Sequence, residues 1–294
     1  MEKDYQYDLT PEQIKGREVV FTTGLGQANI HDPNQPRYFD HVLNKLFPGL
    51  RTAGMMNYGE GSRWDDRKYR LNPPFIHPSN EHIVVPMGLT YFGASIADIH
   101  RSDEVNQTLK TMGREIHDDS WAFFSRAIGV AFVPVTKDGQ VFVGKRIGSL
   151  YPGYLNAVAG GVDYAGQPSL YHFKEQAIQE LKEEYGQRLE LVEAPRFVGI
   201  ASHPLKGDAD VVWVGRIDAP AEYFTSGRWR EERKDVEHAP ELVRIAHPTE
   251  RDKLLNRGWF NHKDFTTVRV HFPGIMYSTR LGLESLTEDD FRKE

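Results

Sequence analysis

Apolar and polar positions along this chain follow two periods, and the switch between them divides it. Near the start, "REVVFTTG" (Arg17–Gly24) carries the β-branched and aromatic run of a short strand. "RYFDHVLNKLF" (Arg37–Phe47) places Phe39, Val42, Leu43 and Leu46 at helical spacing, and Pro48-Gly49 closes it. "MMNYGEGSRWDDRKYRLNPP" shows no period and reads as loop. "EHIVVPMGLTYFG" is strand-like. Pro86 inside it predicts an edge strand or a bulge, because proline has no N–H to give to a ladder. In "SDEVNQTLKTMGREI", Ser102 stands where a helix N-cap belongs.

From Trp121 onward short β-rich runs dominate. "AIGVAFVPVTKDGQVFVGKR" is two strands about a Lys137-Asp138-Gly139 turn. "YLNAVAGGV" is a third strand, and a polar loop leads from it into the helix "LYHFKEQAIQELKEEYG", which Gly186 ends. "RFVGIASHP" and "ADVVWVGRID" form a strand pair about Lys206-Gly207-Asp208, and "ELVRIAHP" is a further strand. "TERDKLLNRG" is a short helix with Thr249 as its expected cap. The pattern predicts an α+β chain in two parts, an N-terminal α/β extension over 1–119 and a second domain over 120–294. No linker separates them, so the extension is expected to pack on the second domain.

Composition narrows the function classes. At 39% hydrophobic and 27% charged the chain is of the ordinary globular kind. A net charge of -6 argues against nucleic-acid binding by phosphate neutralisation. The absence of cysteine excludes disulfides, thiolate metal sites and a cysteine nucleophile. The start "MEKDYQYDLTPEQ" is acidic and polar, unlike a signal peptide, and no apolar run reaches the ~18 residues of a membrane helix. A cytoplasmic location with no membrane partner is the expectation. The sequence carries no signal for oligomeric state.

One helix carries the candidate chemistry. At about 100° per residue, Glu180, Glu183 and Glu184 share one face, while Ala177, Ile178, Leu181 and Tyr185 form an apolar face beside it. Like charges at these spacings repel, and no basic residue of the helix lies on that face. Either solvent tolerates the repulsion or a cation removes it; three carboxylates on one rigid element are the hard oxygen donors that Mg²⁺ or Mn²⁺ accepts. Read alone, "QELKEEYG" is more often a solvated acidic face. Its context is a hairpin, a strand ending in Gly160-Gly161, and a loop.

In that context the chain resembles the Nudix hydrolases, whose box runs Gly, five residues, Glu, seven residues, Arg-Glu-aliphatic-x-Glu-Glu-x-Gly. Gly161 takes the opening glycine, and Gln179 to Gly186 take the closing half. Three departures stand out: Gln179 replaces the box arginine, Gln167 falls on the first glutamate, and the loop is about four residues longer. The segments "MGLTYF", "IGVAF", "PGYLNAVAGG", "IQELKEE" and "VGIA" come in the order found in the UDP-glucose diphosphatase-like subgroup, which also has an N-terminal extension. The resemblance implies a Nudix α/β/α sandwich in the second domain. It implies Mg²⁺ (or Mn²⁺) at Gly161, Glu180, Glu183 and Glu184, and hydrolysis of a nucleoside diphosphate derivative, foremost a UDP-sugar. The alternatives it leaves are another substrate such as ADP-ribose, or a nucleotide sensor that does not turn over. Either one of the helix glutamates or Glu237 is expected to accept the water's proton.

Substrate contacts are expected from Lys145 and Arg146 at a strand end, where cations can ground a diphosphate; a solvated strand end is an equal reading. Tyr151 and Tyr154 are placed to stack on a base or merely to pack a loop, and Trp64 sits in the charged segment most suited to reach a ligand. Other motifs fail. "GLGQAN" (Gly24–Asn29) lacks the third glycine and the helix of a dinucleotide turn. The twelve histidines show no paired zinc spacing, and Ser120 in "HDDSW" has no nucleophile-elbow glycines.

Overall fold

The β-branched and aromatic runs become strands, and these collect into two sheets. The computed structural model describes residues 6–23, 66–72, 75–147, 153–234, 238–257 and 275–292, and over these the chain is a mixed α+β protein. Its first elements are β1 (Gln6–Leu9), α1 (Pro11–Ile14), β2 (Glu18–Thr23), β3 (Arg67–Leu71), β4 (His82–Tyr91), α2 (Phe92–His100) and α3 (Asp103–His117). Then come β5 (Ile128–Thr136), β6 (Val141–Arg146), β7 (Leu155–Asn156), β8 (Val158–Gly161) and α4 (Leu170–Tyr185). The rest are β9 (Arg196–Ser202), β10 (Ala209–Ile217), α5 (Ala221–Thr225), α6 (Trp229–Glu232), β11 (His238–Ile245), α7 (Pro248–Arg257) and α8 (Tyr277–Glu284). The segments Gly24–Asn29 and Arg37–Phe47 lie outside the described residues.

The larger sheet runs β1-β9-β10-β5-β6-β11, with β7 on β6 and β8 on β5. Strands β10 and β5 run parallel in unbroken register from Ala209↔Ile128 to Ile217↔Thr136. Strands β5 and β6 leave their turn paired at Val135↔Val141 and then diverge. The segment after them fills the gap: β7 pairs with β6 at Gly144↔Asn156, and β8 pairs with β5 from Phe132↔Val158 to Gly129↔Gly161. This wedge brings the glycine end of β8 beside the start of β5.

Alternation along β5 sorts its side chains into two cores. Ile128, Val130 and Phe132 face α4, meeting Phe173, Ala177, Leu181 and Tyr185. Ala131, Val133 and Val135 face the opposite way, toward Tyr277, Leu281 and Leu283 of α8 and Leu254 of α7. The smaller sheet, β2-β4-β3, adds Phe21, Tyr69, Leu71 and Val85 to the α4 core. Phe173 meets Phe21 and Tyr69 edge-on, with ring centres 4.8 and 5.6 Å apart. Helix α4 is thus packed between both sheets.

Buried charges join the early and late segments. Arg126 donates to Asp8 at 2.9 Å and to Ser202 at 3.0 Å. Arg70 donates to the carbonyls of Phe124 and Trp121, and Asp98, held locally by Arg101, accepts from Ser125 N–H at 2.6 Å. Burial lowers the pKa of Arg70 to about 10 and of Arg101 to about 9. Such groups are tolerated inside only with partners of this kind.

Three local expectations change. The stretch read as loop before "NPP" contains strand β3, whose Tyr69 and Leu71 alternate into the α4 core beside β4. Pro86 does not mark an edge, because β4 is the middle strand of its sheet. The Pro86 carbonyl accepts from Asn72 N–H at 3.0 Å, just past the end of β3, so the missing N–H falls where the ladder has stopped. Thr249 is not the cap of α7 but lies one residue inside it, and the His247 ring accepts from its N–H at 3.3 Å. Ser102 does cap α3, accepting from Val105 N–H. No described helix is long and apolar enough to cross a membrane.

Gly199 makes the pairing of β1 possible. Its φ is +138°, and an added Cβ would stand 2.1 Å from the Leu9 carbonyl oxygen. Gly199→Ala is expected to cost about 2–3 kcal/mol, because backbone and not a flexible side chain must give way. The urea midpoint should fall, and amide exchange at Gln6–Leu9 should quicken ahead of the rest of the sheet.

Candidate functional site

Helix α4 begins with Ser169 accepting from His172 N–H and ends where Gly186 donates to the Lys182 carbonyl. Its apolar face is fully committed to the core, which turns the neighbouring carboxylates toward β8. The Glu180 carboxylate lies directly on Gly160: a Cβ there would stand 2.1–2.4 Å from its carboxyl atoms. Glu184 is only 2% exposed, and its Oε1 accepts from Ala159 N–H at 3.0 Å. A strand with any side chain at position 160 would hold Glu180 off.

Glu183 is placed differently. Its Oε1 accepts from Lys234 at 2.9 Å and from Gln179 Nε2 at 3.2 Å. The helix itself supplies no base, as its sequence indicates, but a residue 51 positions later does. Gln179, at the place of the box arginine, spends its amide on this same carboxylate. So the structure gathers Glu180 and Glu184 at β8 and turns Glu183 toward Lys234. Among the described residues no three His, Asp or Glu side chains converge as a metal-binding group. The carboxylate pair on β8 still has the hard oxygen chemistry that Mg²⁺ prefers.

The remaining candidates divide. Gly161, the last residue of β8, pairs with Gly129. Lys145 is half-buried opposite Leu155 of β7. Arg146 is 8% exposed, so the solvated strand end does not apply to it. Tyr154 packs against the α8 core, and its carbonyl accepts from Arg146 N–H. Trp64, Tyr151 and Glu237 lie outside the described residues.

The sequence reading passes over Asp210, a lone acid in the apolar strand β10. It points to the α8 side, and its Oδ1 lies 2.5 Å from where a Gly129 Cβ would be, a point 2.7 Å from the Gly160 carbonyl oxygen. Burial pushes its carboxyl up to about 7. Asp208 adds to the rise, while Ser278, Arg146 and Tyr277 oppose it. The Ser278 hydroxyl is fully buried and closes no hydrogen bond of ordinary length among the described residues. Tyr277 donates to Asp208 at 2.6 Å. The available signal was the charge itself: an acid at a position whose neighbours Ala209, Val211 and Val212 are all buried.

Compared with known proteins, the chain matches no family model, and no curated protein matches it either.

Two outcomes follow from this geometry. Gly160→Ala is expected to displace the Glu180 carboxylate, a flexible group, at a stability cost of about 1 kcal/mol. Mn²⁺ affinity measured by calorimetry should weaken about tenfold. For Asp210, the folded chain keeps a proton between pH 3.8 and about 7 that the unfolded chain releases. Its contribution is therefore full below that window, is lost as pH rises through it, and is flat above it. Asp210→Asn should remove this slope, matching the parent near pH 4 and exceeding it by up to about 4 kcal/mol at pH 8 in urea unfolding.

Proposed function

We propose that the chain is a Nudix-type diphosphatase that hydrolyses a nucleoside diphosphate derivative, foremost a UDP-sugar, to a nucleoside monophosphate and a sugar phosphate. The observation that carries this reading is the seating of Glu180 and Glu184 against the glycine end of β8. A carboxylate packed on a side-chain-free strand end is costly in an inert fold and useful at a cation site. The layering supports the same reading, with α4 on one face of the mixed sheet and α8 on the other. The choice of uridine and sugar rests on the sequence resemblance.

Mg²⁺ held by Glu180 and Glu184, with Glu183 as the third carboxylate of the helix, would neutralise the diphosphate and make a bound water more acidic. The chain's own residues prepare the place. Ala159 N–H fixes the orientation of Glu184, and Gly160 sets the approach of Glu180. Lys234 and Gln179 hold Glu183, turned from that pair. Arg146 brings a positive charge to the same end of the sheet, where it favours ionised Asp210.

A second reading, a nucleotide-binding module without turnover, draws on the Glu183–Lys234 ion pair, which occupies one of the three carboxylates. The deciding experiment offers UDP-glucose, ADP-ribose, NADH and dinucleoside polyphosphates with Mg²⁺ and measures released monophosphate. Glu184→Gln keeps the size of the side chain and the acceptor for Ala159. It should leave the melting temperature nearly unchanged and lower kcat/KM about 100-fold or more. Full activity in this variant would overturn the assignment. Saturable binding without turnover by the parent chain would select the second reading.

A further inference from the structure

Strand β3 lies across the end of the larger sheet, bridging to Ala127 through Arg70 and to Asp163 through Lys68. Its alternation sends Tyr69 and Leu71 into the α4 core and leaves Lys68 and Arg70 on the other side. Arg70 is spent on backbone carbonyls. Lys68 is not. Its side chain is 6% exposed, yet the one ion pair it makes among the described residues is with Asp163, whose own side chain is 76% exposed. Its Nζ lies 3.7 Å from where a Gly161 Cβ would be. It also lies over the Phe92 ring, 5.7 Å from the ring centre.

Gly160 and Gly161 therefore carry opposite charges on opposite faces. The Glu180 carboxylate lies on the first and the Lys68 ammonium beside the second. Successive strand residues point to opposite faces, so a group lying across the end of β8 meets both. An ammonium has three donors, and a solvated aspartate is a weak partner for a buried one. A phosphate oxygen is a stronger acceptor of charged hydrogen bonds.

We propose that Lys68, contributed by the N-terminal segment, is a phosphate-binding residue of this site, exchanging its ion pair with Asp163 for one with the diphosphate of the bound nucleotide. The proposal deepens the diphosphatase reading and rests on it for the identity of the ligand. The rival role is a structural latch, in which Lys68 serves only to hold the loop after β8 through Asp163. The two roles differ at Asp163. A phosphate-binding lysine works as well or better when Asp163 no longer competes for it, whereas a latch fails equally from either side.

The test uses the full chain and two readouts, UDP binding by calorimetry without turnover and UDP-glucose kinetics with Mg²⁺. Lys68→Met should weaken UDP binding about tenfold and raise KM by a similar factor with kcat little changed. Lys68→Arg should recover most of both, and Asp163→Asn should leave UDP binding equal or tighter. UDP affinity unchanged in Lys68→Met overturns the proposal, and so does equal weakening by Lys68→Met and Asp163→Asn. Absence of turnover by the parent chain would defeat the diphosphatase reading alone, because the calorimetric comparison still decides the role of Lys68.

Discussion

Helix α4 must satisfy two sheets at once, and the rest of the arrangement depends on that constraint. Phe173 closes against Phe21 and Tyr69 of the smaller sheet, while Leu181 and Tyr185 are buried on the larger one. A helix held on two sides cannot rotate to place its acidic residues in solvent. Glu180 and Glu184 are delivered to β8, and β8 receives them because the Ala159 N–H and the bare surface of Gly160 offer what a carboxylate needs. The candidate site is in this sense a consequence of packing. The apolar residues of the helix choose the orientation, and the chemistry follows from which polar residues occupy the adjacent positions.

Features that depend on a few neighbours were legible in the sequence. Ser102 as a cap, Gly186 as a helix end and the turns at Lys137-Asp138-Gly139 and Lys206-Gly207-Asp208 all follow from local stereochemistry. The common face of Glu180 and Glu184 followed from helical period alone. What escaped required distant partners. Pro86 sits in a central strand because β3 happens to end beside it. Lys234 reaches Glu183 across 51 positions. Asp210 owes its raised carboxyl to burial, which Ser278 and Tyr277 partly oppose, and no local pattern connects those residues with it. Lys68 lies in a stretch that reads as loop, and only its pairing with β4 and its place across a sheet end make it a strand residue.

The early segments are held to the late ones by a mixture of forces that fail under different conditions. Phe21, Tyr69, Leu71 and Val85 contribute apolar burial, which salt does not weaken. Arg126 with Asp8 contributes a buried ion pair, and Asp98, itself paired with Arg101, accepts from Ser125 N–H; both are strong only while each partner stays in place. Replacing one member of such a pair leaves the other as a desolvated charge. The joint between the segments is therefore less tolerant of polar substitution than its apolar content suggests.

The pairing of β1 with β9 has a consequence for synthesis of the chain. Gln6 finds its partner at Ser202, so the first strand leaves the ribosome roughly 200 residues before its ladder exists. At ordinary elongation rates this interval is about 10–40 s. During that time the residues that follow emerge and collapse without their N-terminal edge. The parallel pair β5–β10 waits in the same way, for about 80 residues. Assembly of the large sheet thus waits for β9 and β10, which arrive nearly together. Until then the nascent chain holds an unfilled sheet edge, the interval in which chaperone binding competes with mispairing.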